Sequence, residues 1–195
     1  MIDQNIIQTA NTNLEQALQN RIQHTEDFST IHNVFSADVL NKVYDYILND
    51  SDKVWEAETT RDPSVTRSKI SWHAETVIEE LHMAMESITP TVQTILDSPV
   101  HFIGLTLWED QENYKMGWHT DNPILMATMQ IYIAGSKNNP GTEFKIDEGK
   151  YHTCNFIPNT GYFLNQTKRR LEHHTTGSVP LHVDRYSLFG MWSTS

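Results

Sequence analysis

The sequence predicts an α+β fold in one domain, residues 1–195, with a mainly helical first half (1–99) that supports an antiparallel double sheet (100–195). Two observations predict this class. In the first half, apolar residues recur at the three- and four-residue spacing of an amphipathic helix. In the second half, short segments rich in β-branched and aromatic residues alternate with turn clusters such as GSKNNPG and TTGSVP. Short strands at regular spacing are typical of β-sandwiches and barrels.

The elements of the first half follow from local signals. Ser36 is a residue type that caps helix N-termini, and Pro90 interrupts a helical pattern because proline lacks the backbone N–H. The predicted elements are a polar helix over 12–23, a strand within 28–35, a helix after Ser36, a mostly loop segment over 49–69 with one strand near 54–58, and a helix over 77–88.

The second half consists of predicted strands separated by turns. They cover residues 100–109, 127–134, 142–146, 152–157, 162–165 and 185–192. The segments are short, and turn clusters such as GSKNNPG, DEGK, PNTG and TTGSVP separate them.

Composition limits the function. The formal net charge of −11 argues against unspecific nucleic-acid binding, which depends on Lys and Arg replacing counterions. No basic region followed by an apolar run begins the sequence, and no segment has the roughly 18 apolar residues that span a bilayer. The single Cys154 excludes an internal disulfide and a cysteine-based zinc site. We therefore expect a cytoplasmic protein with no membrane partner.

Histidine followed two residues later by a carboxylate occurs four times, and such pairs are candidate metal ligands. Two residues separated by one position face the same side of an extended strand but diverge on a helix. The pairs are His24 with Glu26, His73 with Glu75, His119 with Asp121, and His182 with Asp184. The first two lie at helix ends and are expected to be solvated surface residues, whereas the last two lie in strand-like contexts.

The pair His119 and Asp121 has the best context for a metal. A strand-like segment precedes it, Asn-Pro follows it, and a second histidine source, His173-His174, lies on a later strand edge. Two histidines and one carboxylate form the facial triad of non-haem iron(II) oxygenases. The alternative, two polar residues at the end of a strand, remains open at this point.

Arg185 and Ser187 on the last predicted strand form a second candidate constellation. An arginine that points into a barrel is costly unless it meets an anion, and its planar fork suits a carboxylate. Ser187 faces the same side of the strand. An arginine on the solvent face of an edge strand is the alternative.

The sequence resembles the iron(II)- and 2-oxoglutarate-dependent dioxygenases, particularly their prolyl-4-hydroxylase-like branch. The segments that carry the resemblance are, in order, HTDNP, IYI, PGTEF, PNTG, a later histidine and RYS. The resemblance covers residues 100–192. It implies a double-stranded β-helix, or jelly roll, as the core. One departure is the basic segment TKRR (167–170), which lengthens the connection before the histidine pair.

The resemblance implies that His119, Asp121 and His174 bind Fe(II). Adjacent strand residues face opposite sides, so only one of His173 and His174 can point at the metal. His174 is the choice here, because members of the family often carry a bulky residue just before this ligand, a place that His173 could fill.

The resemblance also implies the cosubstrate site. Arg185 pairs with the distal carboxylate of 2-oxoglutarate, and Ser187 and Tyr132 assist it. Trp108 and Tyr114 are candidates for the pocket wall, with ordinary core packing as the alternative for both.

The implied activity is hydroxylation with O2 and 2-oxoglutarate, giving succinate and CO2. The expected substrate is a protein side chain such as prolyl, then a small molecule, with nucleic acid disfavoured by charge; the loop TTRDPSVTRSK (59–69) is expected near the cleft. Two other functions remain open: a cupin-like isomerase or lyase, and a non-catalytic jelly-roll binding module. Nothing in the sequence indicates the oligomeric state.

Overall fold

The computed structural model of the chain describes residues 2–58 and 67–194. Within these ranges the helices are α1 (Gln4–Gln19), α2 (Ala37–Asn49), α3 (Val77–Ser87) and α4 (Thr89–Leu96). None of them is long and apolar enough to cross a membrane.

Local chemistry explains where these helices begin. The side chain of Asp3 accepts a hydrogen bond from the Asn5 N–H at the start of α1, and Thr76 does the same for Ile78 at the start of α3. Ser36 occupies the predicted N-cap of α2, but its side chain makes no capping hydrogen bond. Pro90 lies in the first turn of α4, where a missing N–H costs nothing, so it marks a new helix as well as the end of the previous one.

Strands come from both halves of the chain. They are β1 (Ile22–Gln23), β2 (Phe28–His32), β3 (Glu56–Ala57), β4 (Arg67–Ile70), β5 (His101–Asp110), β6 (Leu125–Ala134), β7 (Thr142–Asp147), β8 (Lys150–Cys154), β9 (Thr160–Asn165), β10 (His173–Thr175) and β11 (Arg185–Ser193). The first half is thus less exclusively helical than predicted. Strand β4 falls in the segment expected to be mostly loop, and residues 59–66 of that segment lie outside the described residues.

The strands form two antiparallel sheets. In the described residues the major sheet has the order β1-β2-β9-β6-β11-β5-β4-β3, and the minor sheet has the order β10-β7-β8. An isolated antiparallel bridge between His119 and His173 extends the minor sheet beyond β10.

Two apolar clusters hold the layers together. The larger lies between the helices and the major sheet and includes Leu14, Ile78, Leu81, Ile131 and Trp192. The smaller joins the two sheets and includes Phe28, Tyr132, Phe144, Phe156 and Tyr162. Helices therefore cover one face of the major sheet while the minor sheet covers the other, which confirms the predicted α+β double-stranded β-helix and leaves one end of the space between the sheets for a site.

Candidate active site

Three side chains converge at the open end of the two sheets. Each of His119, Asp121 and His173 offers one ligand atom, and these atoms lie within 4.8 Å of one another. The antiparallel bridge places His119 directly opposite His173, with both backbone N–H···O bonds formed at 3.0 and 2.9 Å. Directly opposed residues share one face of a sheet, so the two rings point the same way.

The hydrogen bonds of the two histidines determine their tautomers. Nδ1 of His119 lies 2.9 Å from the carbonyl oxygen of Gly117, and Nδ1 of His173 lies 3.1 Å from that of Leu171. A carbonyl only accepts, so each Nδ1 carries the proton and each Nε2 carries the lone pair. Metal-binding histidines commonly donate their other ring N–H to a carbonyl in this way.

The carboxylate of Asp121 is oriented by its neighbours. Its Oδ2 accepts hydrogen bonds from Thr128 Oγ1 at 3.0 Å and from Gln166 Nε2 at 2.9 Å. Its Oδ1 lies 3.7 Å from Nε2 of His173. Oδ2 of Asp121 is therefore held by hydrogen bonds to the protein, and Oδ1 faces His173.

The structure places His173, and not the predicted His174, beside His119 and Asp121. His174 faces the other side of β10, at the edge of the same cavity beside Trp118. Its Nε2 lies 3.1 Å from Glu143 Oε2, and its ring centre lies 4.0 Å from that of Trp118. His173 is only 5 % exposed. Strand alternation was predicted correctly, but the bridge to His119 sets the register one residue earlier than expected.

A cavity of about 460 Å³ connects this group with Arg185. Trp108 and Tyr114, the predicted wall residues, line it. Its wall also includes Arg67, Gln130, Thr142, Tyr162 and Phe189, and the charged Glu58 and Lys115. The sequence did not single out most of these additional wall residues. They lie on strands, and which face of the sheet a strand residue occupies depends on how the strands pair.

Arg185 is buried, so the alternative of a solvent-facing arginine is wrong. It is 2 % exposed, its Nε donates to Asp110 Oδ2 at 2.8 Å, and its Nη1 donates to the Pro140 carbonyl at 2.6 Å. Its Nη2 lies 2.7 Å from the same Asp110 oxygen in an ion pair. Burial lowers the pKa of Arg185, but the Asp110 carboxylate together with Tyr132 and Tyr114 raises the pKa above its ordinary value. Among the described residues these contacts engage Nε, Nη1 and Nη2 once each, which leaves one N–H on each of Nη1 and Nη2 for another acceptor.

A second arginine shares the carboxylate of Asp110. Nε of Arg67 lies 2.7 Å from Asp110 Oδ1, at an angle that makes no hydrogen bond, and its guanidinium stacks 3.8 Å from the ring centre of Trp108. The pairing of Asp110 with two arginines was not predicted, since the partners lie far apart in sequence.

Ser187 and Tyr132, which the resemblance places beside the cosubstrate, contact residues of the cavity wall. Ser187 Oγ accepts from Gln130 Nε2 at 2.9 Å, and the hydroxyl of Tyr132 lies 2.8 Å from Thr142 Oγ1. Both are fully buried and are not among the described residues that line the cavity, whereas their partners Gln130 and Thr142 are. In the structure Ser187 and Tyr132 thus support the wall through those partners.

Tyr162 is a wall residue that the sequence did not single out. Its hydroxyl donates to Gln130 Oε1. Burial raises the pKa of Tyr162 well above its ordinary value, and burial also raises that of Tyr132. Both phenols therefore remain neutral hydrogen-bond donors at any physiological pH.

The remaining histidine–carboxylate pairs do not form metal sites in the described chain. His182 has a positive φ of 58°, and its side chain is 93 % exposed. His73 bonds to the Tyr46 hydroxyl at 2.7 Å, and His24 packs 4.0 Å from the ring of His152, so both are half-buried instead of solvated as expected.

No family model matches the chain, and no curated protein matches it in sequence. Solved structures do match. A Pseudomonas putida prolyl-4-hydroxylase has a TM-score of 0.70 at 11 % identity, over 94 % of this chain and 98 % of that one. A Trichoplax adhaerens prolyl hydroxylase, in complex with a hypoxia inducible factor oxygen degradation domain peptide fragment, has a TM-score of 0.64 at 13 % identity, over 99 % and 94 %.

A third match differs in its reaction. The epimerase SnoN, in complex with Fe3+, alpha ketoglutarate (2-oxoglutarate) and nogalamycin RO, has a TM-score of 0.60 at 11 % identity, over 95 % of this chain and 84 % of that one. At such identities the likeness concerns the fold. The chain has the double-stranded β-helix fold found in prolyl-4-hydroxylases and other 2-oxoglutarate-dependent iron oxygenases.

Proposed function

We propose that the protein is an Fe(II)- and 2-oxoglutarate-dependent oxygenase that hydroxylates its substrate. The observation that carries the proposal is the convergence of His119, Asp121 and His173 in one cavity with the buried guanidinium of Arg185. A metal-binding group alone would suit many enzymes, and a buried arginine alone would suit a purely structural ion pair. Together they provide one site for a metal and one for the carboxylate of a cosubstrate.

The side chains present fit an iron(II) ion. Two imidazoles in the tautomer with a lone pair on Nε2 and one anchored carboxylate form the 2-His-1-carboxylate set that non-haem Fe(II) oxygenases use. His119, Asp121 and His173 would hold the metal. Bound together, Fe(II) and 2-oxoglutarate supply the oxidising chemistry with O2 and yield succinate and CO2 as coproducts.

Arg185 binds the distal carboxylate of 2-oxoglutarate in this proposal. Asp110 fixes its guanidinium, and two N–H groups remain for the cosubstrate. Asp110 carries one negative charge between Arg67 and Arg185, so these three residues carry a net positive charge that favours an anion. Thr142 and Tyr162 add neutral hydroxyl groups to the same wall.

The cavity also has an apolar part beside the polar groups. Trp108, Tyr114 and Phe189 contribute aromatic surface to its wall. Such a wall keeps the dielectric low and strengthens the contacts of buried charges. The buried Arg185 favours the oxygenase over a cupin-like isomerase or lyase, because a metal that acts only as a Lewis acid needs no anchor for a cosubstrate.

Anaerobic titration of the metal-free protein with Fe(II) and then 2-oxoglutarate tests this function. We expect a weak charge-transfer band in the visible that appears only when both are present, because 2-oxoglutarate then chelates the bound metal. Admission of O2 should produce succinate. Metal binding with no band and no succinate would favour the cupin-like alternative, and no metal binding would favour a non-catalytic module.

For the substrate we propose a prolyl or other side chain of a protein. Trp118 lines the mouth of the cavity with 46 % of its surface exposed, and Tyr151, 53 % exposed, lies 5.7 Å from its ring. Exposed aromatic rings beside a cavity are a suitable surface for the apolar ring of a proline presented by a flexible chain. A small molecule remains the alternative substrate.

Poly-L-proline serves as the probe for this substrate class. We expect it to increase succinate formation from 2-oxoglutarate several-fold over the uncoupled rate and to gain hydroxyl groups that mass spectrometry detects. A poly-glycine peptide of equal length is the matched control. Equal succinate formation with both peptides would exclude prolyl recognition while leaving the oxygenase proposal intact.

A further inference from the structure

We infer that Gln166 is a positioning residue for the carboxylate of Asp121 and that Arg170 fixes the orientation of its amide. This inference rests on the proposed function, because it assigns the support of a proposed metal ligand. Both residues belong to the connection between β9 and β10, whose basic segment (167–170) is the part of the sequence that departs from the resemblance.

Gln166 is held in place by its backbone as well as its side chain. Its N–H donates to the Met126 carbonyl at 2.8 Å, and its side chain is buried with 5 % of the residue exposed. Its Nε2 lies 2.9 Å from Asp121 Oδ2 and 3.3 Å from Thr128 Oγ1. The amide thus contacts the same carboxylate oxygen that Thr128 also holds.

The amide of Gln166 has two possible orientations with opposite effects. With Nε2 toward Asp121 it donates to the carboxylate, and with Oε1 toward Asp121 two acceptors would face each other. Arg170 decides between them. Its Nη1 lies 3.0 Å from Gln166 Oε1, and a guanidinium only donates, so Oε1 must face Arg170 and Nε2 must face Asp121.

Arg170 is itself immobilised by the turn that follows Asp121. It donates to the carbonyl oxygens of Asn122 at 3.1 Å and Leu125 at 3.0 Å, and also to that of Pro123. The basic neighbours face elsewhere: Lys168 pairs with Glu26 at 2.8 Å and Arg169 with Asp27 at 3.1 Å. Within this segment Arg170 therefore has a role specific to the site.

Binding of Co(II) as a spectroscopic probe, measured by titration of its visible ligand-field bands, tests the inference. We expect Gln166→Leu and Arg170→Ala each to raise the Co(II) dissociation constant about 10- to 100-fold, the usual cost of losing an outer partner of a ligand, and to shift the bands. Lys168→Ala is the matched control, since it removes a charge from the same segment without touching the site, and it should bind like wild type.

The double variant separates a relay from two independent contacts. If Arg170 acts through Gln166, adding Arg170→Ala to Gln166→Leu raises the dissociation constant little further. Multiplying effects would overturn the relay, and wild-type affinity in both single variants would overturn the positioning role. Thermal unfolding identifies a variant that has lost its fold, in which case Gln166→Asn, which keeps the amide but shortens its reach, replaces it and is expected to weaken Co(II) binding in the same way. Failure of the wild-type protein to bind Co(II) would instead contradict the proposed function.

Discussion

Replacing His173 by alanine is expected to abolish Fe(II) binding and 2-oxoglutarate turnover, whereas replacing His174 is expected to leave both nearly unchanged. His173 faces Asp121 and His119, while His174 faces Glu143 on the other side of the strand. Loss of a direct ligand should exceed the roughly 10- to 100-fold cost of losing an outer contact. Fe(II) affinity under anaerobic conditions and the rate of succinate formation provide the two measurements.

The two histidines are each other's control. They are adjacent, lie on the same short strand and change the composition identically when replaced. Because His173 is the more buried of the two, thermal unfolding of both variants is measured beside metal affinity. His174→Ala loses the contacts of its ring with Trp118 and Glu143. A larger loss for His174→Ala than for His173→Ala would return the ligand to His174 and shift the register of β10 by one residue. Equal metal affinity of both variants with wild type would remove this histidine pair from the site.

The sequence predicts the architecture because the hydrophobic period differs between its halves. Helical spacing after Ser36 and from Val77 corresponds to α2 and α3, and the strand-like segments from residue 100 onward correspond to β5 to β9 and β11. The short strand β4 escaped prediction because Arg67–Ile70 is polar and brief, with a pattern no different from a loop. Its place in the sheet comes from pairing with β5 instead of from its own composition.

The site was partly predictable for the same reason. His119 and Asp121 are two positions apart in an extended segment, and local geometry is enough to bring them to one side. The choice between His173 and His174 depends on a bridge between residues far apart in the chain, and local alternation cannot supply that register. The counterion Asp110 was missed likewise, because it reaches Arg185 only through the pairing of β5 with β11.

Strand alternation predicts which face of the sheet Ser187 and Tyr132 lie on. It does not predict whether their side chains reach the cavity. The two residues are register partners across β11 and β6, and both face the space between the sheets. Gln130 and Thr142 lie against them and reach the cavity themselves. The direct contact of Ser187 and Tyr132 with 2-oxoglutarate stays a prediction. By position, the residues better placed to contact 2-oxoglutarate are Gln130, Thr142 and Tyr162, because they line the cavity.

Replacing Arg185 by alanine is expected to raise the dissociation constant of 2-oxoglutarate about 30- to several-thousand-fold, which corresponds to the roughly 2–5 kcal/mol that the loss of one partner of a desolvated charge pair costs. Affinity for Fe(II) should change little, since Arg185 is not a ligand. Calorimetric titration of the metal-bound protein with 2-oxoglutarate under anaerobic conditions, beside a separate titration with Fe(II), measures both constants.

Stability must be measured with affinity, because Arg185 also has a structural role. Its removal leaves the buried carboxylate of Asp110 with Arg67 alone, and breaking a buried ion pair can cost about 3–5 kcal/mol of folding free energy. Arg185→Lys keeps the positive charge near Asp110 and preserves more of the fold. An ammonium cannot reproduce the two-point contact of a guanidinium, so this variant should recover only part of the 2-oxoglutarate affinity.

The lysine variant therefore distinguishes an anchor for the cosubstrate from a purely structural arginine. An anchor predicts a folded Arg185→Lys protein with normal Fe(II) affinity and weakened 2-oxoglutarate binding. A structural arginine predicts that a folded lysine variant binds 2-oxoglutarate like wild type. The second result would leave Asp110 as the only anion that Arg185 serves, and the cavity would then lack the feature that favours an oxygenase over a simple metal-dependent lyase.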